Sequence, residues 1–243
     1  MKKWNLLLIA VLMVAGAMVP AAQAVEVEGD AYIGVFDKYL WRGFDLSGGK
    51  AVVQGGVDLS AYGFTVSYWS NLQTSRSESA GLEGGEITET DIVLDYSFDL
   101  NDLVSVSVGN IFYQLDGLED TNELYLGLAL NTILEPSFTV YYDYDKADED
   151  GLFYTASVGH SIELADNLSV NLGALVSYNQ ESDYAVGDYS DWHNYELSLG
   201  LHYVLTDNVA IGPSVLYSSP ISDEAKDAID SEFLTGVSIA FAF

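Results

Sequence analysis

The C-terminal segment FLTGVSIAFAF, residues 233–243, decides the fold class of this chain. Phenylalanine, threonine, valine and isoleucine occupy its odd-numbered positions, whereas glycine, serine and alanine occupy most of the even-numbered ones. Successive side chains of a β-strand point to opposite faces of the sheet. The segment is therefore predicted to be a strand with one bulky apolar face and one face of small residues.

The same alternation recurs from about residue 29 onward, and short turns alternate with longer acidic loops. About twelve strands are predicted, at residues 30–40, 50–61, 63–71, 88–98, 103–115, 121–132, 137–146, 151–163, 168–179, 191–204, 209–219 and 232–243. This pattern is typical of an all-β protein that forms a transmembrane antiparallel up-and-down β-barrel. An even strand number places both chain ends on the side of the short turns, which we expect to face the periplasm, and the long loops outside.

Two positions interrupt the pattern. Pro213 lies inside the eleventh predicted strand, where it removes a ladder hydrogen bond, and we expect a β-bulge there. In the first strand the acidic Asp37 shares a face with the aromatic Tyr39 and Trp41. Either a bulge near Asp37 or a position close to the rim of the barrel would explain this, and the sequence does not decide between them.

The N-terminus has the features of a secretory signal peptide. Lys2 and Lys3 precede an apolar run over residues 6–14, and Ala22-Gln23-Ala24 matches a small-residue cleavage site. We expect a signal peptide at residues 1–24 and a single outer-membrane β-barrel domain at 25–243. The apolar run is too short for a membrane-spanning helix. A membrane location then requires a closed barrel, because hydrocarbon offers no hydrogen-bond partner to an unpaired backbone N–H or C=O group.

A soluble sandwich or lipocalin-like barrel would also show alternating strands. Aromatic residues such as Trp41, Trp192 and Tyr203 gather at strand ends, as in the girdles of membrane barrels. The sequence therefore predicts a bacterial outer-membrane protein exported through the periplasm, in contact with outer-membrane lipid and lipopolysaccharide. We expect a monomer, delivered by the barrel-assembly machinery through the C-terminal strand that ends at Phe243.

The chain is strongly acidic, with 37 acidic and 8 basic residues and a formal charge of −29. Such a charge excludes nucleic acid as a partner, because phosphate binding needs a basic surface. It also disfavours the attraction of anionic solutes. A hydrophobic content of 49% and 17 tyrosines argue against disorder. The chain has no cysteine, which excludes disulfides and thiolate chemistry.

Strand parity directs a set of charged side chains into the lumen. The predicted pore-lining residues are Arg42, Asp58, Asp91, Asp95, Glu123, Asp143, Asp145 and Glu196. Rings of carboxylates favour cations, so we expect a porin-like channel for passive diffusion of small solutes, with a preference for cations or neutral species. Arg42 is expected either to reach across the pore mouth toward acidic partners such as Asp91 or Asp95, or to be an exposed arginine at the rim that contributes little energy. Twelve strands can also enclose a lumen filled by side chains, so a closed barrel with a structural or surface-interaction role stays open.

Catalytic and metal-binding patterns are weak. The acidic run at 143–151 lacks the ligand spacing of a helix-loop-helix calcium site, and we predict no metal site and no cofactor. The histidines are His160, His193 and His202, and no Gly-x-Ser-x-Gly elbow accompanies them. We therefore predict that the protein is not an enzyme; a lipid-modifying barrel enzyme is the third alternative.

A dense motif covers about the first third of the chain that follows the signal. Its members are Trp41, Arg42, Gly43, Gln54, Gly55, Gly56, Trp69 and Asn71. On these residues the chain resembles the TorF-type family of outer-membrane porins. The resemblance implies a porin-like role and brings no particular solute with it.

Overall fold

The computed structural model describes residues 26–147 and 151–243. The predicted signal peptide, residues 1–24, lies outside the described residues, as do positions 148–150 of the acidic run. No helix among the described residues is long and apolar enough to cross a membrane.

Twelve of the described strands close into one antiparallel barrel, and two short strands form a separate hairpin. The strands are β1 (Glu28–Phe36), β2 (Leu40–Trp41), β3 (Phe44–Asp45), β4 (Val52–Ala61), β5 (Phe64–Gln73), β6 (Glu86–Asn101), β7 (Val104–Leu115), β8 (Thr121–Leu130), β9 (Ser137–Asp143), β10 (Leu152–Ala165), β11 (Leu168–Ser182), β12 (Gly187–Thr206), β13 (Val209–Pro220) and β14 (Glu232–Ala242). A short helix, α1 (Asp223–Ala228), lies between β13 and β14.

Each barrel strand pairs with its neighbours along the chain, and β1 pairs with β14 to close the ring. Closure extends beyond the strands, because the backbone of Gly29 both donates to and accepts from Phe243 at 2.9 and 2.8 Å. The connections alternate between two-residue turns, such as that between β4 and β5, and longer loops, such as that between β5 and β6. The predicted all-β, up-and-down, twelve-stranded barrel is therefore confirmed.

The distribution of side chains is inverted relative to that of a soluble protein. Along β8 the leucines point outward, and Leu126 is 50% exposed, whereas Glu123 on the opposite face is 1% exposed. Most fully buried side chains are polar or charged, and the largest of them include Gln73 and His193. A soluble barrel would bury its leucines and expose its carboxylates. The outer wall is thus apolar and the interior is polar, which is the arrangement of a barrel surrounded by lipid.

The prediction of a β-bulge at Pro213 is wrong. Pro213 stays in register opposite Val237 of β14, with no shift in that ladder. On its other side the pairing with β12 passes from Ser214 to Ile211 without an extra residue. Because proline lacks an N–H, the ladder loses bonds at this point and keeps its register.

The end of the first strand explains why Asp37 shares a face with two aromatic residues in the sequence pattern. β1 ends at Phe36, and Asp37 accepts hydrogen bonds of 2.9 Å from the backbone N–H and the hydroxyl of Thr235. Tyr39 and Trp41 therefore belong to the following connection and not to the barrel wall.

Candidate functional site

The connection between β1 and β4, residues 37–51, folds into the barrel interior. Its centre is the hairpin of β2 and β3, which pair Leu40 with Asp45 and Trp41 with Phe44. Arg42 and Gly43 form the two-residue turn, with φ angles of 47° and 84°. Two consecutive positive φ angles are those of a type I′ turn, which prefers asparagine and glycine. An arginine in this conformation costs about 1 kcal/mol, so other contacts must hold the turn.

The base of this hairpin is fixed by a compact set of hydrogen bonds. The carboxylate of Asp45 accepts from the backbone N–H groups of Ser47 and Gly49 at 3.0 and 2.6 Å. The fully buried Ser47 hydroxyl accepts from the N–H of Tyr39 at 3.0 Å. Gln73 of β5 donates to the Ser47 carbonyl at 3.0 Å. These bonds tie the hairpin to the wall from which it emerges.

The tip of the hairpin reaches the opposite wall. The guanidinium of Arg42 donates two hydrogen bonds, of 2.8 and 2.7 Å, to the two carboxylate oxygens of Glu123 on β8. It also lies 5.1 Å from the ring centroid of Tyr141 on β9 and 4.3 Å from that of Phe153 on β10. In the ring of twelve strands, β9 and β10 lie opposite β1 and β4. The hairpin therefore spans the barrel interior.

A β-bulge in β12 holds the other side of the tip. Val176 and Tyr178 of β11 pair with Tyr195 and Trp192, so two residues of β12 face one residue of β11. The two residues of this bulge, His193 and Asn194, are both buried. The Nε2 of His193 donates to the Arg42 carbonyl at 2.7 Å, since a carbonyl can only accept. The His193 ring also stacks on Phe44, with centroids 5.8 Å apart.

The motif residues on the near wall support the same hairpin. The Gln54 side chain donates to Asn71 at 3.1 Å, and Asn71 donates to the hydroxyl of Thr88 at 2.7 Å, which links β4, β5 and β6. The ring of Trp69 packs on Tyr39 with centroids 5.4 Å apart. Burial raises the pKa of the Tyr39 phenol well above its usual range, and the nearby Glu89 adds to the shift.

The other two glycines of the motif lie in β4. A Cβ built at Gly56 would lie 2.7 Å from the hydroxyl of Tyr32, and one built at Gly55 would lie 2.8 Å from the Tyr32 carbonyl. The close contact that glycines inside a strand indicate is therefore present at both positions, and that of Gly56 lies on the inner wall.

Two cavities lie in line inside the barrel. The outer cavity measures about 490 Å³ and is bounded by long-loop residues such as Leu82 and Tyr184. The inner cavity measures about 250 Å³ and is bounded by strand residues such as Thr155. Trp41 and Tyr113 line both cavities, and their rings meet edge to face with centroids 6.2 Å apart. The hairpin tip thus forms the partition between them.

Most of the predicted lining carboxylates lie on the inner face. Asp58 sits half-buried between two exposed neighbours, and Glu196 lines the inner cavity. Asp95 accepts a hydrogen bond from the hydroxyl of Tyr125. Asp143 is buried and accepts from Thr121 at 2.8 Å, and Asp91 is half-buried beside Glu89.

Two of the expected arrangements are wrong. Arg42 pairs with Glu123 and not with Asp91 or Asp95, because the hairpin carries it past β6 to the far wall. Asp145 lies beyond the end of β9, is exposed, and accepts from Asn122 at 2.7 Å. Asn122 alternates with the buried Glu123 and so lies on the outer face, which places Asp145 outside the lumen.

Sequence reasoning missed several residues of the interior. Glu89 is 6% exposed on the wall of the outer cavity, although it stands at the start of a predicted strand. His193 is fully buried, because the bulge of β12 turns it inward. Its only signal in the sequence is the unusual density of polar and aromatic residues around it.

The histidines do not form a catalytic arrangement with serine. His160 bonds through Nδ1 to the Ile133 carbonyl at 2.8 Å, and His193 bonds to Arg42 and to the hydroxyl of Tyr189. Within residues 26–147 and 151–243, no histidine is hydrogen bonded to a serine. The same residues hold no cluster of three or more side chains suited to a metal ion.

Solved structures with the same fold are outer-membrane porins and channels. The NanC porin is 13% identical with a TM-score of 0.55, and covers 88% of this chain and 98% of its own. The KdgM porin is 13% identical with a TM-score of 0.55, covering 89% and 99%. The COG4313 outer membrane channel from Pseudomonas putida F1 is 10% identical with a TM-score of 0.55, covering 92% and 97%. These similarities show the fold.

Sequence comparison is more specific about the family. No curated protein matches the chain in sequence. The resemblance to the TorF-type family stays a prediction. The porin fold that it implies agrees with the fold of the solved structures. The profile of one family matches residues 20–234, so the chain belongs to Gcw_chp, a family of bacterial proteins of unknown function.

Proposed function

We propose that this protein is a channel of the bacterial outer membrane for passive diffusion of small cationic or neutral solutes. The observation that carries the proposal is a closed barrel with an apolar outer wall and two cavities in line through its polar interior. The hairpin tip lies between the cavities, where Trp41 and Tyr113 line both of them. Selection would come from the width at this tip and from fixed negative charge, without a cofactor or turnover.

The charge of the interior supports cations over anions. Asp58, Asp91, Asp95 and Glu196 line the inner wall, and the buried guanidinium of Arg42 is already neutralised by Glu123. A fixed carboxylate lowers the energy of a cation and raises that of an anion, most strongly where water is scarce. The KdgM porin has been solved in complex with oligogalacturonate, a polyanion, and the carboxylates here would repel such a solute.

The proposed location follows from the outer wall. The exposed leucines and valines would contact acyl chains, and the acidic long loops would face lipopolysaccharide. Export through the periplasm would follow removal of residues 1–24, and insertion would use the barrel-assembly machinery. We expect the barrel to act as a monomer and without catalytic activity.

A closed barrel is the second candidate, and the Arg42–Glu123 contact favours it. A tip that is hydrogen bonded across the interior and buried among aromatic rings would close the lumen if it never moved. The lumen would then serve to stabilise the barrel, and the long loops would carry any interaction. Mobility of the hairpin decides between the two.

Planar bilayer recording of the purified, folded protein tests the proposal. The channel predicts discrete conductance steps and, in a salt gradient, a reversal potential of the sign expected for cations. Folding is checked on the same sample by the gel shift that a barrel shows between unheated and boiled protein. Folded protein without conductance would leave the closed barrel, and an anionic reversal potential would overturn the acidic-lumen selection.

A further inference from the structure

The outer cavity combines aromatic rings with carboxylates, and passive diffusion alone does not explain that combination. The aromatic residues on its wall are Tyr39, Trp41, Tyr113 and Tyr184, and the acidic ones are Asp45, Glu89, Asp116 and Glu123. Among the described residues that line it, none is lysine or arginine. A volume of about 490 Å³ lies in the range of sites for small organic ligands.

Arg42 shows how this interior holds a cation. Its guanidinium lies 4.4 Å from the ring centroid of Trp41 and 4.3 Å from that of Phe153, while both oxygens of Glu123 accept from it. Aromatic faces attract cations, and the attraction is larger where water is excluded. Trp41 and Glu123 also belong to the wall of the outer cavity. A cation in that cavity would therefore meet part of the surroundings that already bind the guanidinium.

Glu89 adds a buried carboxyl group to this wall. It is 6% exposed on the cavity wall, and its neighbours are the Tyr39 hydroxyl and the Asp91 carboxylate. Within the part of the chain that the structure describes, no lysine or arginine pairs with it. One oxygen of Asp91 is also buried without a hydrogen-bond partner. Buried carboxylates are normally paired with a positive group, and the described residues supply none to Glu89.

We propose that the outer cavity is a binding site for organic cations, meaning guanidinium or ammonium groups carried on a small apolar body. The inference rests on the proposed channel function for its role, since binding would concentrate such solutes above the partition. The charged group would sit between Glu89 and the rings of Trp41 and Tyr113. The apolar body would contact the leucines of the wall, which are Leu46, Leu82, Leu115 and Leu118.

A pair of isosteric probes tests the site on the natural chain. n-Butylguanidinium and n-butylurea have the same shape and differ in charge. Calorimetric titration of the detergent-folded protein should show n-butylguanidinium binding at least about tenfold more tightly than n-butylurea, which is the discrimination that one cation–π and carboxylate contact supplies. Equal affinities, or no binding of either probe, would overturn the proposal without any variant having to fold.

A matched pair of variants locates the site. Glu89→Gln should weaken n-butylguanidinium binding about tenfold and leave n-butylurea unchanged. Glu86→Gln removes the same charge from an exposed position of the same strand and should have little effect. An equal loss in both variants would mean that the cation is attracted by overall charge, and no loss in Glu89→Gln would exclude this wall.

Bilayer recording separates this inference from the channel itself. If the channel conducts and n-butylguanidinium does not bind, the site is wrong and the channel stands. If n-butylguanidinium binds to folded protein that does not conduct, the site stands and the channel function is wrong. Where both hold, n-butylguanidinium should reduce the current at concentrations at which n-butylurea does not.

Discussion

Arg42 and Glu123 are 81 residues apart in the sequence, and they form two hydrogen bonds of 2.8 and 2.7 Å inside the barrel. The side chain of Arg42 is 9% exposed and that of Glu123 is 2% exposed. Removing one partner of a buried pair leaves an uncompensated charge, at a cost of about 3–5 kcal/mol. The hairpin can avoid that cost by leaving the wall, so this pair controls whether the interior is divided.

Glu123→Gln is therefore expected to release the hairpin. Trypsin should then cleave the released chain after Arg42, a site that is buried in the natural protein, and single-channel conductance should rise. Limited proteolysis followed by mass spectrometry measures the first effect, and bilayer recording measures the second.

Glu83→Gln is the matched control for that variant. It breaks the ion pair of Arg76 and Glu83, whose side chains are 64% and 61% exposed and 3.4 Å apart. Such surface pairs contribute less than about 1 kcal/mol, so neither proteolysis after Arg42 nor conductance should change. Resistance of Glu123→Gln to trypsin, with unchanged conductance, would show that other contacts hold the hairpin.

Gly43→Ala tests how closely the tip packs against the loop between β13 and β14. A Cβ at this position would lie 2.5 Å from the Cδ1 of Ile229, and the φ of 84° already costs a non-glycine residue about 1 kcal/mol. Gly85→Ala carries the same backbone cost, with a φ of 86°, and its Cβ would meet nothing within 4 Å.

The two glycine variants should differ in conductance noise. We expect frequent transitions between two current levels in Gly43→Ala, because the docked hairpin is weakened, and the behaviour of the natural protein in Gly85→Ala. Both should fold, as judged by the gel shift on heating. Identical current traces from the two variants would mean that contact with Ile229 does not position the tip.

The strands could be predicted from the sequence, whereas the hairpin inside the barrel could not. Alternation reports the two environments of a strand, so the outward leucines of β8 and the inward Glu123 were assigned correctly. A six-residue hairpin is too short to show a period, and its position depends on partners far along the chain. The same limit explains why Arg42 was matched to acids on β6 and not to Glu123.

Local irregularity accounts for the remaining differences. The bulge of β12 turns both His193 and Asn194 inward, whereas strict alternation would place consecutive residues on opposite faces. Asp145 falls on the lumen side of the predicted strand 137–146, which extends three residues beyond the end of β9 at Asp143. A bulge or a misplaced strand end shifts the alternation of side chains by one residue. A shift of one residue exchanges the side chains that face the lumen with those that face outward.

Charge selection can be tested with Asp91 and Asp145, which were grouped together by sequence and are separated by the structure. Asp91→Asn should reduce the cation-to-anion permeability ratio by about two- to fivefold, since one carboxylate near a narrow aqueous path contributes about 0.5–1 kcal/mol. Asp145→Asn removes the same charge outside the lumen and should leave the ratio unchanged. Reversal potentials in a KCl gradient measure both, and equal shifts would exclude a local effect of Asp91.

The proposed role of Phe243 in assembly is tested by Phe243→Ala. Phe243 is 55% exposed, and its backbone closes the barrel with Gly29. Its ring lies on the outer surface at the barrel end and stacks on Phe241, with centroids 6.0 Å apart. Phe233, at the other end of the same strand, is 60% exposed and provides a matched control.

If the assembly machinery recognises the C-terminal strand by its final aromatic ring, Phe243→Ala should reduce the amount of folded protein in outer-membrane fractions several-fold. Phe233→Ala should not have that effect, and both variants should refold equally in detergent. An equal reduction in cells, or a matching defect in detergent, would show that the ring stabilises the barrel and is not a recognition signal.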